Sequence, residues 1–309
     1  MLPGLSTHVF LEQRLGSGLL EAMARSGVKS IQVFAARHHF DYLDRGAVRE
    51  IGDWFRSNPV EATLHQPLYP DANFSKHLSP SLNLIHVEKS QRINAMDEVK
   101  RAIESAEVIP FTSVVLHLGM RDETWNTRAL EHSMTAIEHL KAFAGPLGLR
   151  LLLENLQSDA TSPAHLLEII RTGHFDTVGV CLDLGHLHLA QTAAEATPDS
   201  GVAHAIAQLG SRIAQLHIHD NHGPFAQQEF NDSTDMKDEH LWPGEVSTEG
   251  KSIDWAAVAP ALAALPAAVP GVLEIASDRS ESTQSVAARV EKTFRFLESL
   301  QSTPSGGNM

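Results

Sequence analysis

His65, His117, Glu154, Asp183, His217 and Glu274 each stand at or beside the end of a short apolar run. His186 follows Asp183 by one helical turn, and Asp238 and His240 lie in an Asp-Glu-His triplet farther along. The chain holds 18 histidines in 309 residues, so position decides which of them carry chemistry. Imidazole nitrogen and carboxylate oxygen are the donors that bind divalent cations. Singly, each position has a plainer reading. A His at a strand end commonly caps or faces solvent, a Glu after Leu-Leu-Leu can pair with an arginine, and Asp183 with His186 can form a helix N-cap. Jointly they resist that reading, because imidazoles and carboxylates gathered at one place are costly to bury without a cation between them. The mixed donors suit zinc and tolerate manganese or cobalt.

Eight apolar runs deliver these residues, at 6–10, 28–34, 60–65, 112–117, 149–154, 178–183, 213–219 and 272–275. Helical patterns fall between and after them: 15–26 ending on Gly27, 47–57 stopped by Pro59, 90–107, 126–143, 163–172 opening on Pro163, stretches up to 209, and 254–265. Val286, Val290, Phe294 and Leu297 give the last helix one apolar face. Runs such as Val114–Leu116 and Leu151–Leu153 are continuously apolar, as strands buried on both faces of a parallel sheet are. Eight strand-then-helix units predict an α/β fold, a (β/α)8 TIM barrel. A doubly wound open sheet is the competitor, but no Gly-rich nucleotide loop follows the first run. The long connections 66–89 and 220–252 fall on the C-terminal face, where barrel active sites form. One domain over 1–300 is expected, with a flexible Ser/Gly/Pro-rich tail at 301–309.

The net charge of -14 makes nucleic acid and anionic membranes poor partners. The lone Cys181 excludes an intrachain disulfide and fits a reducing compartment; no signal peptide or membrane-length apolar stretch is visible, so a cytoplasmic location is expected. Cys181 itself reads as packing. His132, His139, His165, His174 and His204 fall in or beside helical stretches and read as surface residues. Arg37 and His38, just past the second run, are candidate substrate contacts. His219 alternates with His217 and either supports a ligand or touches substrate. Trp242 and Trp255 flank the end of the long loop, as a cover over the site or as anchors. A homo-oligomer is compatible with the sequence.

The ordered motifs Leu64-His65-Gln66-Pro67, Leu116-His117-Leu118-Gly119, Leu153-Glu154-Asn155, Leu182-Asp183-Leu184-Gly185-His186 and Leu216-His217-Ile218-His219-Asp220-Asn221 resemble the xylose isomerase-like barrel superfamily. The run Asp238-Glu239-His240-Leu241-Trp242-Pro243-Gly244, then Ile253-Asp254-Trp255 and Leu273-Glu274, extend the likeness over nearly the whole chain. The resemblance is to its sugar phosphate isomerase/epimerase branch, with endonuclease IV (AP endonuclease family 2) as a relative. It implies one divalent metal on Glu154, Asp183, His217 and Glu274, proton transfer by Glu154 and Glu274, and a substrate-side His186. Against endonuclease IV it implies a larger zinc set: His65, His117, Glu154, Asp183, His186, His217, Asp238, His240 and Glu274. The expectation is therefore a metal-dependent isomerase or epimerase of a small sugar-like molecule. The alternative is a zinc phosphodiesterase with a multinuclear centre. The opening Ser6-Thr7-His8-Val9-Phe10 and the loop Ala35–Asp41 depart from the DNA-repair pattern.

Overall fold

The computed structural model describes residues 1–75, 79–193, 201–222, 238–245, 252–276 and 281–302. Eight parallel strands close in sequence order into a barrel. They are β1 (Leu2–Ser6), β2 (Ser30–Phe34), β3 (Glu61–His65), β4 (Phe111–Leu116), β5 (Arg150–Glu154), β6 (Gly179–Asp183), β7 (Ile213–Ile218) and β8 (Pro270–Leu273). The helices are α1 (Ser17–Ala24), α2 (Arg45–Ser57), α3 (Lys89–Glu104), α4 (Thr127–Ala144), α5 (Pro163–Thr172), α6 (Leu184–Ala193), α7 (Val202–Leu209), α8 (Trp255–Ala263) and α9 (Thr283–Ser302). Asp44 caps α2 by accepting from Gly46 and Ala47 amides, and Ser162 caps α5 ahead of Pro163. Such a cap contributes about 1 kcal/mol. Gly27, at φ 86, turns the chain out of α1 as its position predicts.

The first strand lies earlier than the sequence suggests. Residues 7–10 of the expected run form a 3-10 turn, and β1 is Leu2–Ser6. Pro3 and Gly4 disguise it, because both are poor strand formers. Gly4 suits the place: a Cβ there would stand 3.0 Å from Val272 Cγ2 on β8, a tight approach. The expected tail also begins as helix, since α9 runs to Ser302; residues 303–309 lie outside the described residues. So do 76–78 of the first long connection and 223–237 and 246–251 of the second. Among the described residues, no helix is long and apolar enough to cross a membrane.

Most apolar burial lies between the strands and the helices, as with Ile31, Leu64, Val114, Leu153, Leu182 and Leu216. The inner face is different. Register partners share a face, so Ser6, Gln32 and Thr63 line one side of the lumen. Val115, Leu152 and Cys181 pack together there, apart from the main core. Above this layer the next inward positions are His65, Glu154, Asp183 and His217.

Candidate metal centre

Strand alternation carries the donors to the C-terminal mouth, and the end of each strand fixes their direction. His65 closes β3 and His117 lies one residue past β4. The Nδ1–H of His65 donates to the Gln66 carbonyl at 2.8 Å. Its Nε2 is thereby turned toward His117 Nε2 at 3.2 Å and Glu154 Oε2 at 3.5 Å. His117 Nε2 stands 3.0 Å from the same Glu154 oxygen. The other carboxylate oxygen of Glu154 faces His217 Nδ1 at 3.2 Å, where Glu274 Oε2 approaches to 2.6 Å and Asp183 Oδ2 to 3.6 Å. Glu154 thus joins two His/carboxylate groups, His65–His117–Glu154 and Glu154–Asp183–His217–Glu274, and forms a smaller one with Cys181 and His217; of these side chains His117 alone is partly exposed.

A third His/carboxylate group forms beside them from His186, His219, Asp238 and His240. Asp183 caps α6, its Oδ1 accepting the His186 amide at 2.7 Å. The cap and the ligand-like placement of Asp183 therefore coexist. His186 Nδ1–H donates to the Asn155 carbonyl at 3.0 Å, and its Nε2 meets Asp238 Oδ2 at 2.6 Å. His240 repeats the arrangement: Nδ1–H donates to the Glu274 carbonyl at 2.8 Å, and Nε2 lies 3.1 Å from Asp238 Oδ2. Imidazoles fixed through Nδ1 to a carbonyl present Nε2 for coordination. Asn155 ties the second and third groups, its side chain exchanging hydrogen bonds with the backbone of Asp183 at 2.8 and 2.9 Å.

The loop that supplies Asp238 and His240 is held by Asp220 and Asn221. Asp220 exchanges backbone hydrogen bonds with Leu241, and its carboxylate accepts from the Trp255 indole and the Ile253 amide. Asn221 accepts the Glu239 amide at 2.6 Å. Trp242 and Trp255 are both buried, with the Arg289 guanidinium over Trp242, so they anchor the loop. His240 sits at φ 48, a left-handed conformation that costs a β-carbon residue about 1 kcal/mol or more. The bonds to Glu274 and Ala276 hold it there.

The charges are mutually supporting. Burial alone pushes the carboxyls of Glu154, Asp183, Asp238 and Glu274 up, yet the facing imidazoles outweigh it and hold all four well below the usual carboxylate range. Burial likewise opposes charge on His186, His217 and His240, and the carboxylates overcome it, lifting His240 to about 9. His117 goes the other way, because burial prevails over Glu154. A set of nitrogen and oxygen donors this dense, with its ligand atoms inside a few ångströms, has the composition of a divalent-cation site.

Every metal-type residue singled out from sequence reaches this rim. His219 joins it as well: its Nε2 lies 3.0 and 3.1 Å from the two Asp183 oxygens, and its ring stacks on His240 at 4.0 Å. Arg37 and His38 stand apart. Arg37 pairs with Asp41, and His38 stacks on Tyr69. Phe34, Ala36 and Tyr69 form a small apolar cluster, and Phe34 stacks on His65 at 4.6 Å, so this side of the mouth has an aromatic wall. His8 is the rim residue that sequence reasoning missed. It groups with His240 and Glu274, its Nδ1–H reaching the Ile275 carbonyl, and burial takes its pKa down to about 4. Its signal was hidden because the first strand was set too late. The remaining surface assignments hold for His139, His174 and His204, while His132 and His165 are half-buried.

Fold and rim together define a (β/α)8 barrel with a His/carboxylate centre at its mouth. The chain belongs to the xylose isomerase-like TIM barrel family, whose model matches residues 20–300. An uncharacterized protein of Methanocaldococcus jannaschii is 25% identical over 249 residues, covering 78% of this chain and 74% of that protein. Among solved structures, L-ribulose 3-epimerase matches with a TM-score of 0.70 at 16% identity, over 99% of this chain and 100% of that one. The IOLI protein with a bound zinc atom matches with a TM-score of 0.73 at 17% identity, over 97% and 98%.

Proposed function

We propose that this chain is a metal-dependent isomerase or epimerase of a small sugar, sugar phosphate or related polyhydroxy carbonyl compound, working by proton transfer through an enediolate. The observation that carries this reading is the placement of Glu154 and Glu274. Glu154 ends β5 and Glu274 follows β8, and each brings a carboxylate oxygen close to His217 Nδ1, at 3.2 and 2.6 Å. The likeness to L-ribulose 3-epimerase and to the zinc-bearing IOLI protein supports it.

Glu154, Asp183, His217 and Glu274 would hold the cation, with zinc the first expectation and manganese or cobalt next. A bound divalent cation supplies Lewis-acid polarisation of a carbonyl and acidifies the neighbouring C–H. Glu154 and Glu274 then move the protons. Their facing imidazoles keep them ionised, as acceptance of a proton requires. One carboxylate removes the proton from carbon; the other, carrying a proton taken from solvent, returns it to the opposite face, and the first then releases its proton to solvent. His186 lies on the substrate side, and Arg37 and His38 grip substrate beyond the aromatic wall. His219, fully enclosed on Asp183, orients that carboxylate. The test is a panel of ketoses in D2O with zinc-, manganese- or cobalt-loaded protein. Deuterium enters the substrate carbon if an enediolate forms. Full turnover by Glu154→Gln or Glu274→Gln on a verified substrate would sink the assignment.

A second reading rests on one observation: several candidate ligand groups lie side by side and share members, Glu154 among them. Clustered cations suit phosphodiester hydrolysis. It predicts two or three zinc ions per chain and cleavage of an abasic-site duplex, lost in His65→Ala or His117→Ala. The net charge of -14 weighs against a nucleic-acid substrate.

A further inference from the structure

His217 is oriented unlike the other rim imidazoles, and its orientation involves two residues outside the ligand groups. His65, His186 and His240 tie Nδ1 to a carbonyl and present Nε2. His217 presents Nδ1 to the carboxylates, and its Nε2 looks into the lumen. There it meets the amide nitrogens of Gln32 at 2.9 Å and Gln215 at 3.1 Å. An amide NH2 only donates, so beside these amides Nε2 can only accept and a neutral His217 carries its hydrogen on Nδ1, facing the carboxylates; the charged form that the carboxylates favour would set Nε2–H against the same two NH2 groups. That neutral tautomer has no Nδ1 lone pair for a cation. Coordination among Glu154, Asp183, His217 and Glu274 needs the opposite one, with Nδ1 bare and Nε2–H pointing at two donor groups.

Reversal of the amides removes the conflict, and the lumen is equipped for it. Gln32 and Gln215 are wholly enclosed, and the Oε1 atoms of both are buried without a hydrogen-bond partner. Ser30 and Thr63 hydroxyls are in the same condition. Ser30 precedes Gln32 by two residues on the same strand face, and Thr63 is the register partner of Gln32. The turned NH2 of Gln32 therefore has acceptors on its own face of the lumen. Buried polar atoms of this kind are rarely left unpaired, which singles out this layer.

We propose that Gln32 and Gln215 are positioning residues that set the tautomer of His217, their amides turning to present Oε1 to Nε2–H when a cation is held through Nδ1. The proposal rests on the metal-binding reading of the four-residue strand group. The test compares zinc-binding isotherms of full-length wild type, Gln32→Leu, Gln215→Leu and Gln32→Glu, by competition with a chromophoric chelator. A glutamate accepts but does not donate, so it suits only the Nε2–H form. The expected result is a 10–100-fold weakening of one step of the isotherm in the leucine variants, with the glutamate variant keeping wild-type affinity or exceeding it. Leucine variants that bind like wild type, or a glutamate variant that loses as much as leucine, overturn the proposal. Should the variants not fold, nitrogen-15 histidine spectra of zinc-loaded wild type decide it: a hydrogen on Nε2 of His217 supports it and one on Nδ1 overturns it. Wild type that binds no zinc fails the metal-binding reading itself, which separates the two failures.

Discussion

The strand-borne ligand groups and the loop-borne group are built by different means. Glu154, Asp183 and His217 project from neighbouring strands, and Glu274 lies one residue past β8; all four are nearly or wholly enclosed. Backbone register fixes their spacing before any side-chain contact forms. Asp238 and His240 arrive on a segment held over the rim by Asp220, Asn221 and two tryptophans, and they remain partly exposed. The first arrangement is a property of the barrel, and the second depends on a handful of loop contacts. A ligand group on rigid elements should hold its cation more tightly and through more disturbance than one on a loop.

Four measurements break or sharpen that contrast. The largest effect is expected at Glu154, which serves two strand groups. Glu154→Gln should cost 10²–10⁴-fold in turnover on the verified substrate and remove metal from both strand groups, as elemental analysis would read. Retention of either cation would mean the two groups are independent. Next, stripping the metal with a chelator should lower the melting temperature by about 5–10 °C relative to protein held at roughly a thousand times the dissociation constant. The change should come mostly from the strand groups, so Asp238→Ala should show nearly the same drop.

His39 supplies a reference imidazole away from the carboxylates. It is buried, with Nδ1–H on the Gln13 carbonyl at 2.5 Å, and burial takes its pKa from 6.5 to about 4. The depressed pKa means the folded chain binds fewer protons than the unfolded one. Its contribution is intact above pH 6.5 and is lost as pH falls from there to about 4. The loss is on the order of 3 kcal/mol, seen by denaturant titration across that range. His39→Asn should flatten this part of the profile. The smallest effect on turnover is expected from Asp238→Ala. It should weaken one zinc-binding step 10–100-fold yet leave isomerase turnover within about tenfold. Loss of all activity instead would place the loop group at the centre of the chemistry and favour phosphodiester hydrolysis.

The middle of the barrel was readable because strands buried on both faces leave continuous apolar runs. β2 to β7 coincide with the runs at 28–34 to 213–219, and most of their edges shift by a residue or two. The ends were harder to read. β1 contains Pro3 and Gly4, and β8 opens on Pro270 and Gly271, so both strands look like turns. These residues are tolerated because β1 and β8 pair with each other where the inner face is crowded, as the 3.0 Å approach at Gly4 shows. Polar residues inside apolar runs were the overlooked signal. Gln32 and Gln215 break β2 and β7 on the same faces that carry the rim, and their meaning appears only once His217 lies between them.

The sequence by itself determined the barrel and pointed to most of the donor side chains at its rim, because strand period and residue type are local properties. It could not say which nitrogen of each imidazole faces inward, that Glu154 bridges two groups, or that His8 and His219 join them. Those depend on pairs distant in the chain, such as His217 with Gln32 and His186 with Asp238. Only closure of the sheet brings such pairs within hydrogen-bonding distance, and hydrogen-bond direction, unlike hydrophobic period, leaves no trace in the order of residues.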